Sequence, residues 1–312
     1  MQKLRIAYAG TPDFAVPALN ALFDSEHDVV MVLTQPDKKA GRGRKIAQSA
    51  VKMAASSKNV HIMQPEDVNS TAILNDLRAL NLDIMVVAAY GQLFTMELLN
   101  LPKWGCINIH ASLLPKWRGA SPIQHAILAG DEISGVTVMQ MSKAMDAGDI
   151  WQQRQCKIEQ TDTAQNLHDK LSNLGGEIIV GAISDVVNED RRPTPQESTG
   201  VSYCSKLKKE NGLIQWDNTA DLIERQVRAF YPWPGTYTFF KGRRIRIVEV
   251  SKPLEEDVSE KPGTILDYHE EGIKVAAGNS AILIKELTPE GGKRIKASDF
   301  ANANQLDNEI FG

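Results

Sequence analysis

The first half of the chain alternates short, β-branched apolar runs with helical stretches, and that alternation narrows its fold more than any other feature. Leu4 to Ala9, Asp28 to Thr34, Ile84 to Ala89 and Cys106 to Ile109 are apolar runs bounded by Gly, Pro or polar residues. Helical patterns lie between them at Phe14 to Phe23, Gln48 to Ser56 and Thr71 to Leu80. Strands separated by helices of this length form βαβ units and a parallel sheet. Ile84-Met-Val-Val-Ala-Ala89 is apolar throughout, as expected of a strand covered on both faces. Two further strands are expected at Gly135 to Met141 and Trp151 to Ile158. A helix follows, on which Leu167, Leu171, Leu174, Ile178, Ala182 and Val186 form one apolar stripe.

The pattern breaks at Asn188-Glu-Asp-Arg-Arg-Pro-Thr-Pro195, a polar stretch with two prolines that reads as an interdomain linker. Beyond a helix at Thr219 to Phe230, the chain turns β-like. Short strands are expected at 236–240, 244–250, 263–266, 272–276 and 281–284, with Gly-containing turns between them. Five such strands suit a small closed barrel, with an OB-like barrel the leading candidate. The expected architecture is therefore α/β: a Rossmann-like, mostly parallel sheet over 1–188, a linker at 189–206, and a C-terminal OB-like β-barrel over 207–312. Two domains also suit a length of 312 residues.

Asn108 and His110 are two apart in a strand, so both project to one side. They end an apolar strand, at the edge where open α/β sheets place ligands. Asp146 lies in the turn Met145-Asp-Ala-Gly148-Asp149. Reaching His110, it would orient the ring and stabilise an imidazolium, while Asn108 could hydrogen-bond a developing oxyanion. The trio has no evident nucleophile: Ser112 follows no Gly-x-Ser-x-Gly elbow, and Cys106 is flanked by apolar residues. Direct transfer between two bound substrates suits it better than a covalent intermediate. A structural role for His110 stays open at this point. Gly10-Thr-Pro-Asp-Phe14 lacks the later glycines of a dinucleotide fingerprint, which counts against a nicotinamide oxidoreductase.

Three cysteines, odd in number and widely spaced, suit a reducing compartment and neither a disulfide scaffold nor a zinc site. No metal is expected. The absence of a long apolar run or leader signature leads to the expectation of a cytoplasmic protein without membrane segments. A net charge of -4 counts, taken alone, against a nucleic-acid partner. Local grouping counts the other way. Residues 36–45 hold Lys38, Lys39, Arg42, Arg44 and Lys45 against one anion, with two glycines, and read as a mobile loop. Lys206, Lys208 and Lys209 form a second group, and Lys241, Arg243, Arg244 and Arg246 a third. Each suits phosphate contact as well as a solvated surface.

Six motifs together resemble the methionyl-tRNA formyltransferase family of 10-formyltetrahydrofolate-dependent enzymes. They are Gly10-Thr-Pro-Asp-Phe14, Thr34-Gln-Pro-Asp37 with Gly41-Arg42-Gly43, Ala88-Ala-Tyr90-Gly91, Cys106-Ile-Asn-Ile-His110 with Ser112-Leu-Leu-Pro115-Lys-Trp-Arg-Gly119, Met145-Asp-Ala-Gly148-Asp149, and Arg228-Ala-Phe230-Tyr-Pro232-Trp233-Pro234. Ala147 and Tyr231 depart from residues common in that family without touching the trio. The resemblance implies formyl transfer from 10-formyltetrahydrofolate to the α-amino group of initiator methionyl-tRNA, with Asn108, His110 and Asp146 acting together. It implies that Ser112, Leu113, Leu114 and Pro115, with Tyr90 and Gly91, form the folate pocket. Lys38, Lys39, Arg42, Arg44 and Lys45 are then expected at the acceptor stem. Lys206, Lys208, Arg243, Arg244 and Arg246 are expected on the tRNA body, with the enzyme a monomer. Formyl transfer to a small amine (glycinamide ribonucleotide or an aminosugar nucleotide) and RNA binding without catalysis are the alternatives.

Overall fold

The computed structural model describes residues 3–40 and 45–312. The chain divides into two compact units. One comprises Met1–Pro122, Ile133–Lys157 and His168–Cys204; the other comprises Ile123–Glu132, Ile158–Leu167 and Ser205–Gly312. In chain order the elements begin β1 (Arg5–Gly10), α1 (Val16–Phe23), β2 (Asp28–Leu33), β3 (Lys38–Ala40), β4 (Lys45–Ala47), α2 (Ala50–Ser56), β5 (His61–Met63), α3 (Thr71–Ala79), β6 (Ile84–Ala88) and α4 (Met96–Leu99). They continue with β7 (Cys106–His110), β8 (Arg118–Gly119), α5 (Pro122–Ala129), β9 (Ile133–Gln140), β10 (Ile150–Lys157), α6 (Ala164–Val187) and β11 (Tyr203–Cys204).

The first unit is built on a seven-stranded sheet in the order β10-β9-β7-β6-β1-β2-β5. Its five strands from β7 to β5 are parallel, and β9 and β10 are antiparallel additions. The chain moves outward from β1 through β2 to β5, then returns to β6 on the other side of β1 and proceeds to β7. The β1/β6 boundary is thus a topological switch point, where the connecting loops splay apart and leave a crevice at the carboxyl ends. One face of the sheet packs Met31, Met85, Val87 and Cys106 against Leu74, Leu77 and Leu98. On the other face Gly175 of α6 lies so close that an added Cβ would sit 3.1 Å from Ile109. A mid-helix glycine costs about 1 kcal/mol against alanine, and here it permits helix and strand to approach.

The stretch 36–45, read from sequence as a mobile loop, begins and ends in paired strands. Lys38 pairs with Ala47, Lys39 with Ile46 and Ala40 with Lys45. Lysine and alanine carry little strand signal, so propensity did not reveal this hairpin.

The second unit contains α7 (Ala220–Ala229), β12 (Thr236–Phe240), β13 (Arg243–Val250), β14 (Ile265–His269), β15 (Gly272–Ala276), β16 (Ala281–Pro289), β17 (Ile295–Lys296) and α8 (Ala297–Asn302). The antiparallel strands run β12-β13-β16-β15-β14, with the short β17 also paired to β16, one strand more than the five expected. The chain's last residues join the two edges: Ile265 N donates to Glu309 O, Phe311 N to Gly263 O, and Gly312 N to Phe239 O. Phe311, 1% exposed, stacks on Trp216 and meets Phe240 in the core. Trp216 donates its indole N–H to Thr238 Oγ1 at 3.0 Å, so its one polar atom is satisfied inside. Among the described residues, no helix is long and apolar enough to cross a membrane.

Because Phe311 joins the core and its backbone closes the strand edges, Phe311→Ala is expected to destabilise this unit by about 3–5 kcal/mol. Urea unfolding followed by tryptophan fluorescence measures that loss.

Candidate active site

Cys106, Asn108 and His110 form one side-chain row on β7. Cys106 begins it inside the apolar core, where burial pushes its thiol up and leaves it a poor nucleophile. Asn108 follows, half-buried beside Val87 and Met139, and its side-chain amide has no hydrogen-bond partner among the described residues. His110 ends the row, 6% exposed, with Nε2 2.9 Å from the carbonyl oxygen of Trp117. A carbonyl can only accept, so Nε2 carries the hydrogen of this bond. Nδ1 is left facing Asp146 Oδ2 at 3.8 Å, a charge contact too long for a hydrogen bond. The same Asp146 oxygen accepts from Gly119 N at 2.8 Å. The structure thus brings the three sequence candidates together, His110 and Asp146 in direct contact and Asn108 two residues along the same strand face.

The segment 112–115 is held by residues the sequence did not single out. Thr137 on β9, fully buried, donates its hydroxyl to Ser112 O at 2.7 Å and accepts from Leu114 N at 3.1 Å. Gln153 on β10 donates to Leu114 O and to Thr137 Oγ1, both at 2.9 Å. Ser112 closes its own turn onto Lys116 O at 2.5 Å. Leu113 packs over Gly135, where an added Cβ would come within 2.5 Å of its side chain. Thr137 alternates with two valines and Gln153 lies in the polar run Gln152-Gln-Arg-Gln155, so neither stands out as more than a strand residue. The Leu114–Pro115 bond is cis.

Tyr90 and Gly91 follow β6 at the switch point. Tyr90 is buried, its Oη finds no partner among the described residues, and burial, with Asp67 nearby, pushes its hydroxyl up to about 12. A buried phenol this short of partners is one that a ligand could satisfy. Thr11 ties the neighbouring strand ends together, donating to Tyr90 O at 2.9 Å and accepting from Gln35 N at 3.4 Å.

The stretch read as a linker is bound to this unit as far as Cys204. Thr194 pairs with Ile150, Trp117 N donates to Ser202 Oγ at 2.9 Å, and β11 pairs in parallel with β8. Gly119 (φ +121°) is required there, since a Cβ would fall 2.3 Å from Cys204 O.

Of the first basic group, Lys38 is exposed, Lys39 and Lys45 are described in backbone only, and Arg42 and Arg44 lie outside the described residues. The base of that hairpin is anchored by Asp37, which accepts from Lys52 Nζ and Gln64 Nε2, each at 2.7 Å. Those two bonds, Lys52 first, hold the Asp37 carboxyl below its usual range. In the second unit Lys206, Lys208, Arg243 and Arg244 are exposed. The Arg244 guanidinium lies 3.8 Å over the Tyr237 ring, and Arg246 donates to Pro232 O at 2.7 Å. Among the described residues, no group of three or more His, Cys, Asp or Glu side chains could hold a metal ion.

An amide and an imidazole on one strand face, with a carboxylate 3.8 Å from the imidazole at the carboxyl edge of the sheet, suit transfer of a group between two bound substrates. The family model "Formyl transferase" matches residues 3–183, and the model of the formyl transferase C-terminal domain matches 206–305. The chain belongs to the formyl transferase family. It is 42% identical over 311 residues to the methionyl-tRNA formyltransferase of Hydrogenovibrio crunogenus, covering 100% of this chain and 99% of that one. To the methionyl-tRNA formyltransferase of Nitrosospira multiformis it is 44% identical over 303 residues, 97% of each chain. The fold is similar to an N-formyltransferase from Helicobacter canadensis solved with folinic acid and dTDP-3-aminofucose. That match has TM-score 0.67 and 20% identity, over 90% of this chain and 98% of that one. HypX from Aquifex aeolicus, solved with tetrahydrofolic acid, shares the fold at TM-score 0.63 and 17% identity, over 96% of this chain and 47% of its own.

Thr137→Val keeps the shape of the side chain and removes its hydroxyl, leaving Leu114 N–H and Ser112 O without their buried partner. A loss of about 1–3 kcal/mol in unfolding free energy is expected in a denaturant titration, whereas Thr137→Ser, which keeps the hydroxyl, should retain most of the wild-type stability.

Proposed function

We propose that this enzyme transfers the formyl group of 10-formyltetrahydrofolate to the α-amino group of methionine on initiator methionyl-tRNA, giving N-formylmethionyl-tRNA for translation initiation. The full-length similarity to methionyl-tRNA formyltransferases supports the substrate pair. The geometric observation that carries the chemistry is the Asn108 amide, without a hydrogen-bond partner among the described residues, on the same strand face as a His110 whose Nε2 is committed to Trp117 and whose Nδ1 faces Asp146.

In the reaction a C–N bond forms to the attacking amine, the bond from the formyl carbon to N10 breaks, and one proton moves from the amine to N10. Asn108 donates its amide N–H to the oxygen on which negative charge develops. In a site shielded from water such a donor is worth far more than in solution. His110 relays the proton through Nδ1, the nitrogen left open by the Trp117 bond. Asp146 offsets the positive charge that the ring acquires and holds its orientation. Ser112 to Pro115, with Tyr90 and Gly91, form the folate pocket; the orphaned Tyr90 hydroxyl suits a polar folate edge.

Residues 1–188 carry out the transfer and 207–312 hold the tRNA, with 189–206 between them in sequence. Lys38, Lys39, Arg42, Arg44 and Lys45 approach the acceptor stem, and Lys206, Lys208, Arg243, Arg244 and Arg246 contact phosphates. The acidic chain then holds tRNA through local basic groups and releases it as salt rises. The enzyme works as a monomer, since one chain supplies the whole trio, and in the cytoplasm. Its three cysteines, none of them in a disulfide, suit a reducing compartment.

Incubation with methionyl initiator tRNA and 10-formyltetrahydrofolate should yield formylmethionyl-tRNA, and Asn108→Ala should lower kcat by about 10²–10³-fold. No product with active donor, or formylation of small amines in preference to the aminoacyl-tRNA, would overturn the proposal.

A further inference from the structure

Gln196 lies in the polar, proline-flanked stretch after α6, half-buried, and the chemistry proposed above gives it no task. Its side-chain amide is nonetheless used on every side. Nε2 donates to Asp146 O at 2.9 Å and to Gly148 O at 2.7 Å, and Oε1 accepts from Arg118 Nε at 3.0 Å and Nη2 at 2.6 Å. Asp146 Oδ2 accepts in turn from Gly119 N, the residue next to Arg118. The bonds close a ring: Arg118, Gln196, the backbone of the Asp146 turn, the Asp146 carboxylate, Gly119 and back to Arg118.

The turn needs such a hold. Asp146 has φ +49°, a left-handed conformation that costs a non-glycine residue roughly 1–2 kcal/mol. Gly148 is pressed against β9, where an added Cβ would stand 1.7 Å from Gln140 O. Strained backbone of this kind persists only where its surroundings over-determine it. Two donors on the carbonyls of 146 and 148 fix the direction in which the Asp146 side chain leaves the backbone. That direction sets the 3.8 Å separation from His110 Nδ1.

We infer that Gln196 is a positioning residue for formyl transfer, holding the Asp146 turn so that its carboxylate faces His110. The inference rests on the role proposed for Asp146. Gln is suited to the task because one side chain must donate twice and accept twice in one plane. Glutamate in its place still accepts from Arg118 but cannot donate to the two carbonyls. Methionine fills a similar volume and donates nothing.

The test is steady-state formylation by the full chain carrying Gln196→Glu or Gln196→Met, each alone and combined with Asp146→Asn. Thermal melts identify folded variants, and Gln196→Met serves if the added charge of Gln196→Glu prevents folding. Displacing a reacting group by about 1 Å can cost some 10²-fold, so a loss of about ten- to a hundredfold in kcat is expected from either single variant. KM for 10-formyltetrahydrofolate should stay within about twofold. In the Asp146→Asn background the same change should alter kcat by less than about twofold, because residues acting through one another are not additive. An equal loss in both backgrounds, or unchanged kcat in a folded single variant, would overturn the inference. An Asp146→Asn enzyme as fast as wild type would instead overturn the role given to Asp146.

Discussion

The carbonyl of Trp117 accepts from His110 Nε2 at 2.9 Å and from the Cys204 thiol at 3.3 Å, and the chemistry of the site follows from that oxygen. Because it cannot donate, it fixes which imidazole nitrogen holds the hydrogen and which is open. Were Trp117 O replaced by a donor, the ring would turn its lone pair inward and present Asp146 with a nitrogen already protonated in the neutral form. The backbone therefore sets the tautomer before any substrate arrives. Trp117 has φ +61° and is held by the bond from its N–H to Ser202, so the stretch after α6 underwrites the position of this carbonyl.

Three of the six left-handed non-glycine residues among the described residues lie at the same place. Ala89 (φ +47°), Trp117 and Asp146 are non-glycine residues in the left-handed region, and all three border the carboxyl edge of the sheet. Trp117 is held by Ser202, and Asp146 by Gln196 and Gly119, all from elsewhere in the first unit. Rigid strands beneath and cross-bonded loops above together hold His110 Nδ1 and Asp146 Oδ2 3.8 Å apart, close but short of a mutual hydrogen bond. Among the described residues neither the Asn108 amide nor the buried Tyr90 hydroxyl has a hydrogen-bond partner, which fits a site organised in advance for a ligand.

Much of this was legible in the sequence, for identifiable reasons. The period of two placed Asn108 and His110 together, and apolar runs bounded by Gly and Pro marked the parallel strands. Asp146 was legible because a carboxylate in a Gly-containing turn is conspicuous. Thr137 and Gln153 were not, since the first alternates with valines and the second lies in a run of polar strand residues, patterns that ask for no special role. Gln196 was hidden for the opposite reason. Prolines and charges around it mark a chain without regular structure, and irregular chain can be bound as firmly as a strand when its side chains supply the bonds. The closing role of Glu309–Gly312 was equally invisible, because four residues carry no period. Net charge pointed away from nucleic acid because it averages over basic groups that are separate in sequence.

The central claim is that His110, oriented by Trp117 and faced by Asp146, carries the proton during formyl transfer. Single-turnover formylation with enzyme, donor and methionyl initiator tRNA all saturating isolates that step from binding and release. In His110→Gln the transfer rate should fall by about 10²–10⁴-fold, the usual worth of a positioned acid–base group. A transfer rate equal to that of the wild type would contradict the account.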